Sequence, residues 1–243
     1  MSVPMFLAER PLLADDHVVL AGPEGRHAAT VRRLRPGERV DLTDGAGFVA
    51  ECVVTRGGRD LLELDVRARR EEPPPTPRLV VVQALAKGDR AEGAVEAMTE
   101  VGVDVIVPWS ASRCVAQWRG ERGAKALARW RSTAREAAKQ SRRPWLPEVT
   151  ELTSTEAVAR LLADAESAAV LAEGSSTPFA SLSLPRHGSV VVVVGPEGGI
   201  SEAELRTFES VGAKTARLGP TVLRTSTAGV AAAAVALARC GRW

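Results

Sequence analysis

Val190 to Val194 is a run of five valines closed by Gly195-Pro196, and a chain containing it has few ways to fold. A strand that alternates apolar and polar residues keeps one wet face, whereas a strand apolar at every position must be covered on both. Covering both faces needs helices on either side of a sheet, hence parallel strands joined by crossover helices. The surrounding text supplies them. Leu79 to Leu85 reads as a strand, Arg90 to Val101 as a helix stopped by Gly102, and Val103 to Val107 as a strand ending at Pro108. A basic helix over Arg122 to Gln140 follows, then a helix over Thr155 to Leu162 and a strand over Ala168 to Leu171. These residues alone predict a doubly wound α/β fold of the nucleotide-binding kind.

Two loops in the last fifty residues carry the chemistry. Val194-Gly195-Pro196-Glu197-Gly198-Gly199-Ile200-Ser201 leaves the valine strand, and Leu218-Gly219-Pro220-Thr221-Val222-Leu223-Arg224-Thr225 opens the Ala-rich stretch Ala228 to Ala238. Loops at the carboxyl ends of parallel strands are where α/β proteins hold nucleotide-like ligands. Ser201 and Glu204 form an S-x-x-E capping box, which starts a helix at Glu202. Gly195, Gly198 and Gly199 permit positive φ and close approach of backbone to ligand. The loop lacks the Lys-Ser/Thr ending of a P-loop and does not spell G-x-G-x-x-G, which argues against a nucleoside triphosphatase and an ordinary dinucleotide site. A second Gly-Pro-Glu-Gly, at Gly22 to Gly25, lacks the strand-to-helix context and reads as coincidence.

Glu71-Glu72-Pro73-Pro74-Pro75-Thr76-Pro77 is a stiff linker, because successive prolines support neither helix nor central strand. It predicts a boundary between a domain over residues 1–72 and one over 78–243. The first reads as strands at His17–Ala21, Arg39–Thr43, Phe48–Thr55 and Leu61–Val66, with a short basic helix from Arg26 to Arg35 ended by Pro36-Gly37. A small β-barrel carrying one helix fits. Arg26, Arg32, Arg33, Arg35 and Arg39 cluster against a single Glu38, which suits an accessory RNA reader and a plain scaffold domain about equally.

The net charge of +2 is informative once located. From Arg113 to Arg143 ten basic residues face two acidic ones, a local charge of +8, so the remainder of the chain sums to −6. Arg131, Arg135, Lys139 and Arg142 recur at helical spacing and predict one stripe. Solvated helix faces usually mix signs, so a polyanion is the better partner for this one. Cys52, Cys114 and Cys240 show no C-x-x-C, and His17, His27 and His187 no ligand spacing. They predict reduced thiols, no metal site and a cytoplasmic location. Met1 to Arg10 lacks the features of a signal peptide, and Gly229 to Ala238 is too short for a bilayer span of about 20 residues, so no membrane partner is expected.

Taken together, these residues resemble the bacterial 16S ribosomal RNA uracil-N3 methyltransferase family (RsmE type) of the SPOUT superfamily. The likeness runs over nearly the whole length. It rests on His27 and Val31-Arg32-Arg33-Leu34-Arg35-Pro36-Gly37, on Lys87-Gly88-Asp89-Arg90, on Thr99-Glu100-Val101-Gly102-Val103 and Pro108, and on Ser112-Arg113-Cys114. It continues through Glu136 to Arg143 and Pro147, and closes with the two loops, which are its most specific part. Two positions depart from the family's pattern: Ala97 where many relatives carry Lys, and Ser226 where many carry Glu. Ribose-methylating members of the superfamily carry an N-terminal Asn-plus-Arg motif and end in Ser-Leu-Asn. This chain has neither, so base methylation is preferred.

The resemblance implies a PUA-like N-terminal β-barrel, then a knotted parallel sheet with a C-terminal trefoil knot that forms a homodimer. It also implies methylation of N3 of one uridine in 16S rRNA, within the 30S subunit, with S-adenosyl-L-methionine as the methyl donor. Leu171, Ala172 and Glu173 would contribute to the cofactor site, with Gly195, Pro196, Gly198 and Gly199 of the first loop. Leu218, Gly219, Val222 and Leu223 of the second loop complete it. Arg224 is the candidate for stabilising negative charge on the uracil oxygens, because its charge is permanent. Glu197 would accept the proton or orient the cofactor. Arg26, His27, Arg32, Arg35, Arg113, Arg131, Arg135, Lys139 and Arg142 would bind RNA. Two other classes stay open: an RNA-binding protein without catalysis, and another SPOUT RNA methyltransferase. An α/β dehydrogenase is disfavoured by the missing G-x-G-x-x-G.

Overall fold

The computed structural model describes residues 3–88 and 90–243. Asp89 of the Lys87-Gly88-Asp89-Arg90 motif lies outside the described residues. The chain divides into two units, Met1–Pro74 with Ala138–Leu146, and Pro75–Ala137 with Pro147–Trp243.

The first unit is a five-stranded sheet: β1 (Met5–Leu7), β2 (His17–Leu20), β3 (Arg39–Thr43), β4 (Phe48–Gly57) and β5 (Leu62–Glu71). Its order is β1-β3-β4-β5-β2, with β1 parallel to β3 and every other pair antiparallel. Val18, Leu20, Val40, Leu42, Leu62 and Leu64 point inward with Phe6. Three-residue β1 is too short to show a period in sequence. β5 runs past Val66 because Arg69 and Glu71 pair with Ala50 and Phe48 of β4, so the ladder, not the apolar pattern, sets its end.

The expected helix over Arg26–Arg35 is displaced. Helix α1 (Gly22–Arg26) comes first and a wide turn over His27–Val31 follows. Pro23 at the head of α1 presets φ and needs no N–H there. Gly25 packs so closely that a Cβ would lie 2.3 Å from the Leu20 carbonyl oxygen. The Gly22–Gly25 copy is therefore a packed helix start.

Residues 138–146 are fastened to this unit. Lys139 Nζ meets Glu24 Oε1 at 2.8 Å in a buried ion pair, and Glu24 Oε2 also accepts from the Leu7 N–H. The Trp145 indole N–H donates to the Glu72 carbonyl, and the 45–47 turn exchanges backbone bonds with Pro144 and Leu146.

The second unit is a wholly parallel six-stranded sheet. Its strands are β6 (Arg78–Ala84), β7 (Val105–Trp109), β8 (Glu148–Val149), β9 (Ser167–Leu171), β10 (Ser189–Val194) and β11 (Lys214–Ala216), in the order β11-β9-β10-β6-β7-β8. Residues alternate between its faces. Leu79, Val81, Val190, Val192 and Val194 join a core with helices α2 (Arg90–Val101), α3 (Gly120–Gln140) and α6 (Thr225–Cys240). Val80, Val82, Val191 and Val193 face the other way, onto α4 (Thr155–Ala163) and α5 (Glu202–Ser210). The valine run is buried throughout, as its composition requires. Pro108 ends no strand: β7 continues to Trp109, and on the side where Pro108 lacks an N–H, β8 has already stopped.

Candidate functional site

Strand order brings three loops together. β11 lies at the sheet edge, yet α6 packs on β6 and β10, so residues 217–224 must cross the carboxyl ends of β9 and β10. Register fixes the levels: Leu171 pairs with Ala216, Val170 with Val193, and Val194 with Gln83. The loops beginning at Ala172, Gly195 and Arg217 therefore leave the sheet side by side. The Ala172 N–H extends the ladder by donating to the Ala216 carbonyl. Leu171 and Leu218 are half-buried against the core, Glu173 and Gly219 are exposed, and Val222 and Leu223 stand out at 70% and 39% exposure. Val222 and Leu223 thus present open aliphatic surface on the loop that half-buried Leu218 begins, the kind of surface a flat heterocycle packs on.

Glu204 is the hub of the first loop. The capping box is complete, with Ser201 Oγ accepting from the Glu204 N–H while the Glu204 carboxylate accepts from Ser201 N and Oγ. That carboxylate also accepts from Ser112 N (2.7 Å), Ser112 Oγ (2.9 Å) and Thr155 Oγ1 (3.4 Å). Burial pushes the Glu204 carboxyl up, but hydrogen bonds from Ser201 and Ser112 more than offset this and hold it below the usual carboxylate range. The capping box was legible in sequence. Its link to Ser112, 92 residues away, had no local signal.

The glycines act differently from the expectation. Only Gly199 among the three adopts positive φ, at 73°. A Cβ on Gly195 would lie 2.6 Å from the Ile200 side chain, and one on Gly198 would lie 3.1 Å from Cβ and the carbonyl oxygen of Arg113. These two glycines fold the loop on itself and onto Arg113, because the turn closed by the Gly199 N–H and the Pro196 carbonyl leaves no space for side chains. Arg113 is correspondingly part of this loop, with Nη1 donating to the Gly198 carbonyl at 3.3 Å. Glu197 Oε1 accepts from the Lys87 N–H, tying the loop to the segment after β6. Arg224 is the N-cap residue of α6, and its carbonyl accepts from the Thr227 and Ala228 N–H groups. Its guanidinium is exposed and makes no ion pair among the described residues, which removes a loop-closing salt bridge as its role.

The expected basic stripe is not one surface. Helix α3 ends at Gln140 and Arg142 lies beyond it at φ 55°. Arg131 bonds the Val149 carbonyl and Glu151, and Lys139 is buried against Glu24. Arg135 also has a partner. A stripe of like charges looked unpaired, but the carboxylates that meet Arg131 and Lys139 come from distant segments. Within the first unit, Arg142 instead joins His27 and Arg32 around a small basic cleft backed by Phe6. Arg26 sits apart, 4.0 Å from Asp60, and the Arg35 N–H is capped by Glu38.

The three cysteines are free; burial pushes the Cys52 thiol up to about 12. No group of three or more His, Cys, Asp or Glu among the described residues is placed to hold a metal, and no described helix is long and apolar enough to cross a membrane.

Comparison with known proteins agrees with this layout. An RNA methyltransferase domain model matches residues 72–237, and an RNA methyltransferase PUA domain model matches residues 20–67. Ribosomal RNA small subunit methyltransferase E of Mycobacterium bovis is 47% identical over 233 residues, covering 93% of this chain and 87% of its own. The Neisseria gonorrhoeae enzyme of that name, solved with S-adenosyl methionine, superposes with a TM-score of 0.84 at 28% identity, covering 97% of each chain. A Legionella pneumophila methyltransferase solved with its cofactor SAM gives 0.87 at 25% identity, covering 98% of each chain. The parallel sheet, its three converging loops and these matches along nearly the whole length show that the chain belongs to the RNA methyltransferase family, among the relatives named ribosomal RNA small subunit methyltransferase E.

Proposed function

We propose that this protein methylates N3 of a specific uridine in small-subunit ribosomal RNA, using S-adenosyl-L-methionine. The convergence of the 171–173, 195–201 and 217–224 loops, with an unpaired Arg224 at its edge, carries this reading. The residues fit the cofactor. Leu171, Leu218, Val222 and Leu223 offer an apolar seat for adenine, and the Ala172 to Glu173 and Gly219 backbones lie open beside it. Bound there, the cofactor supplies an electrophilic methyl group.

The chain's own residues do the rest. N3 lies on the Watson–Crick edge, so the uridine must be unpaired and turned out before it reaches the loops. Loss of the N3 proton spreads negative charge over O2 and O4, and the permanent charge of Arg224 stabilises it. Glu197 keeps one carboxylate oxygen free of the Lys87 N–H to receive the proton. Ser226 excludes a carboxylate base at its own position. The basic cleft of His27, Arg32 and Arg142 serves the RNA backbone, since phosphate contacts position while base contacts specify. The same reading includes the trefoil knot, a closed PUA-like barrel, a homodimer and cytoplasmic action on the 30S subunit.

The decisive experiment incubates the protein with small subunits lacking the modification and methyl-labelled cofactor. Nucleosides are then digested and separated by mass. The reading expects 3-methyluridine as the labelled product. Label on ribose or on another base, or no label, rejects it.

A further inference from the structure

We infer that a second cavity in the larger unit holds an unpaired nucleobase of the substrate RNA, stacked on Trp118. This rests on the reading of the protein as an RNA methyltransferase. The cavity is about 670 Å³ and lies among the segment after β6, the 116–118 segment and α3. That volume is within the range of sites that enclose small organic ligands. Its walls suit a base. Ala86, Ala91, Ala116 and Ala126 are small enough to leave room for a ring. Trp118 is half-buried and braced edge-to-face by Trp130, with ring centroids 5.0 Å apart, so it is held as a rigid platform.

Two polar groups give the cavity direction. Trp130 lines the cavity, and its indole N–H makes no hydrogen bond among the described residues. An indole N–H only donates, so a base carbonyl is the kind of group that would accept from it. Glu92, also in the lining, is paired through Oε1 with Arg129 Nε at 3.0 Å, which offsets its charge near a polyanion and leaves Oε2 to accept from a ring or amino N–H. Arg119 and Arg122 are exposed at the start of α3 and pair with no carboxylate among the described residues, so phosphates flanking the base meet positive charge. The cavity is also adjacent to the loops already described: Lys87, between the wall residues Ala86 and Gly88, donates its N–H to Glu197.

The test uses the full chain and a short single-stranded RNA bearing 4-thiouridine, read by photo-cross-linking and by fluorescence anisotropy. Cross-linking is expected at the peptide holding Trp118. Trp118→Ala should weaken binding roughly five- to a hundredfold, the range produced by losing one base–aromatic stack, while Trp118→Phe stays within about threefold. If Trp118→Ala does not fold, Ser132→Phe serves in its place. It plugs the cavity from an exposed position of α3 and should lose RNA affinity with the fold intact. Calorimetric titration with S-adenosylmethionine should be unchanged in every variant. Unaltered RNA affinity in the folded variants overturns the inference. So does a change in oligomeric state alone, which would mean that a second copy of the chain fills the cavity. If the unmodified protein binds no RNA, the parent reading fails instead.

Discussion

Glu204 shows how one carboxylate can organise a loop that it does not enter. It is 5% exposed and accepts hydrogen bonds from three hydroxyls and two backbone N–H groups, so it is tuned to be ionised. Because its folded pKa is depressed, its contribution to stability is full above the ordinary carboxylate pKa and is lost as pH falls through the lowered folded value. Glu204→Gln replaces an acceptor with an NH2 group facing donors, and should cost about 2–3 kcal/mol. Urea melts at neutral pH should show this difference, and it should shrink in acid as the wild-type carboxyl protonates. Arg224→Ala belongs to a different class. With no ion pair to lose, it should leave the melting temperature and cofactor affinity alone while lowering turnover on the order of a hundredfold, about 3 kcal/mol. Normal turnover in that variant would remove the charge-stabilising role.

Elements were legible where composition left one choice. The five valines could only be a strand covered on both faces, and α2 and α5 begin where their charged or capping residues stand. Reading failed where tertiary contacts decide. β1 and β8 are too short to carry a period, α1 starts at a Gly-Pro pair read as coincidence, and the basic run over α3 found its carboxylates in other segments. In the candidate site, the loops were visible because Gly and Pro interrupt apolar runs. The tie between Ser112 and Glu204 was not, since only the fold makes them neighbours. Gly229 tests element packing directly. A Cβ there would lie 2.7 Å from Met98 Sδ and 3.1 Å from Gln83 Oε1, in the seam of α6 with α2 and β6. Gly229→Val gains some helix propensity, a few tenths of a kcal/mol, but overpacking should cost about 1–3 kcal/mol. Net destabilisation in thermal melts is therefore expected, and a more stable variant would show that the seam can open.

At the scale of the whole molecule, the two units carry different side-chain chemistry. The larger holds the converging loops; the smaller gathers His27, Arg32 and Arg142 around one cleft. Arg32→Glu with Arg142→Glu should weaken RNA binding across sequences, and each lost phosphate contact should reduce the log–log salt slope by roughly 0.7 to 0.9. Binding of S-adenosylmethionine should not change. An unaltered slope would dissociate the cleft from the RNA backbone.

The buried bond between Lys139 and Glu24 also sets a timetable. The smaller unit is assembled from two stretches of chain, so its last pieces leave the ribosome only after the first stretch of the larger unit, Pro75–Ala137, has been made. A nascent chain halted at Pro74 has five strands but no Lys139 for Glu24 and no Trp145 against the 45–47 turn. Domains otherwise tend to fold in order of synthesis; this one has to wait. Stalled chains ending at residue 74 should be digested by protease, and resistance should appear only once Leu146 has cleared the exit tunnel.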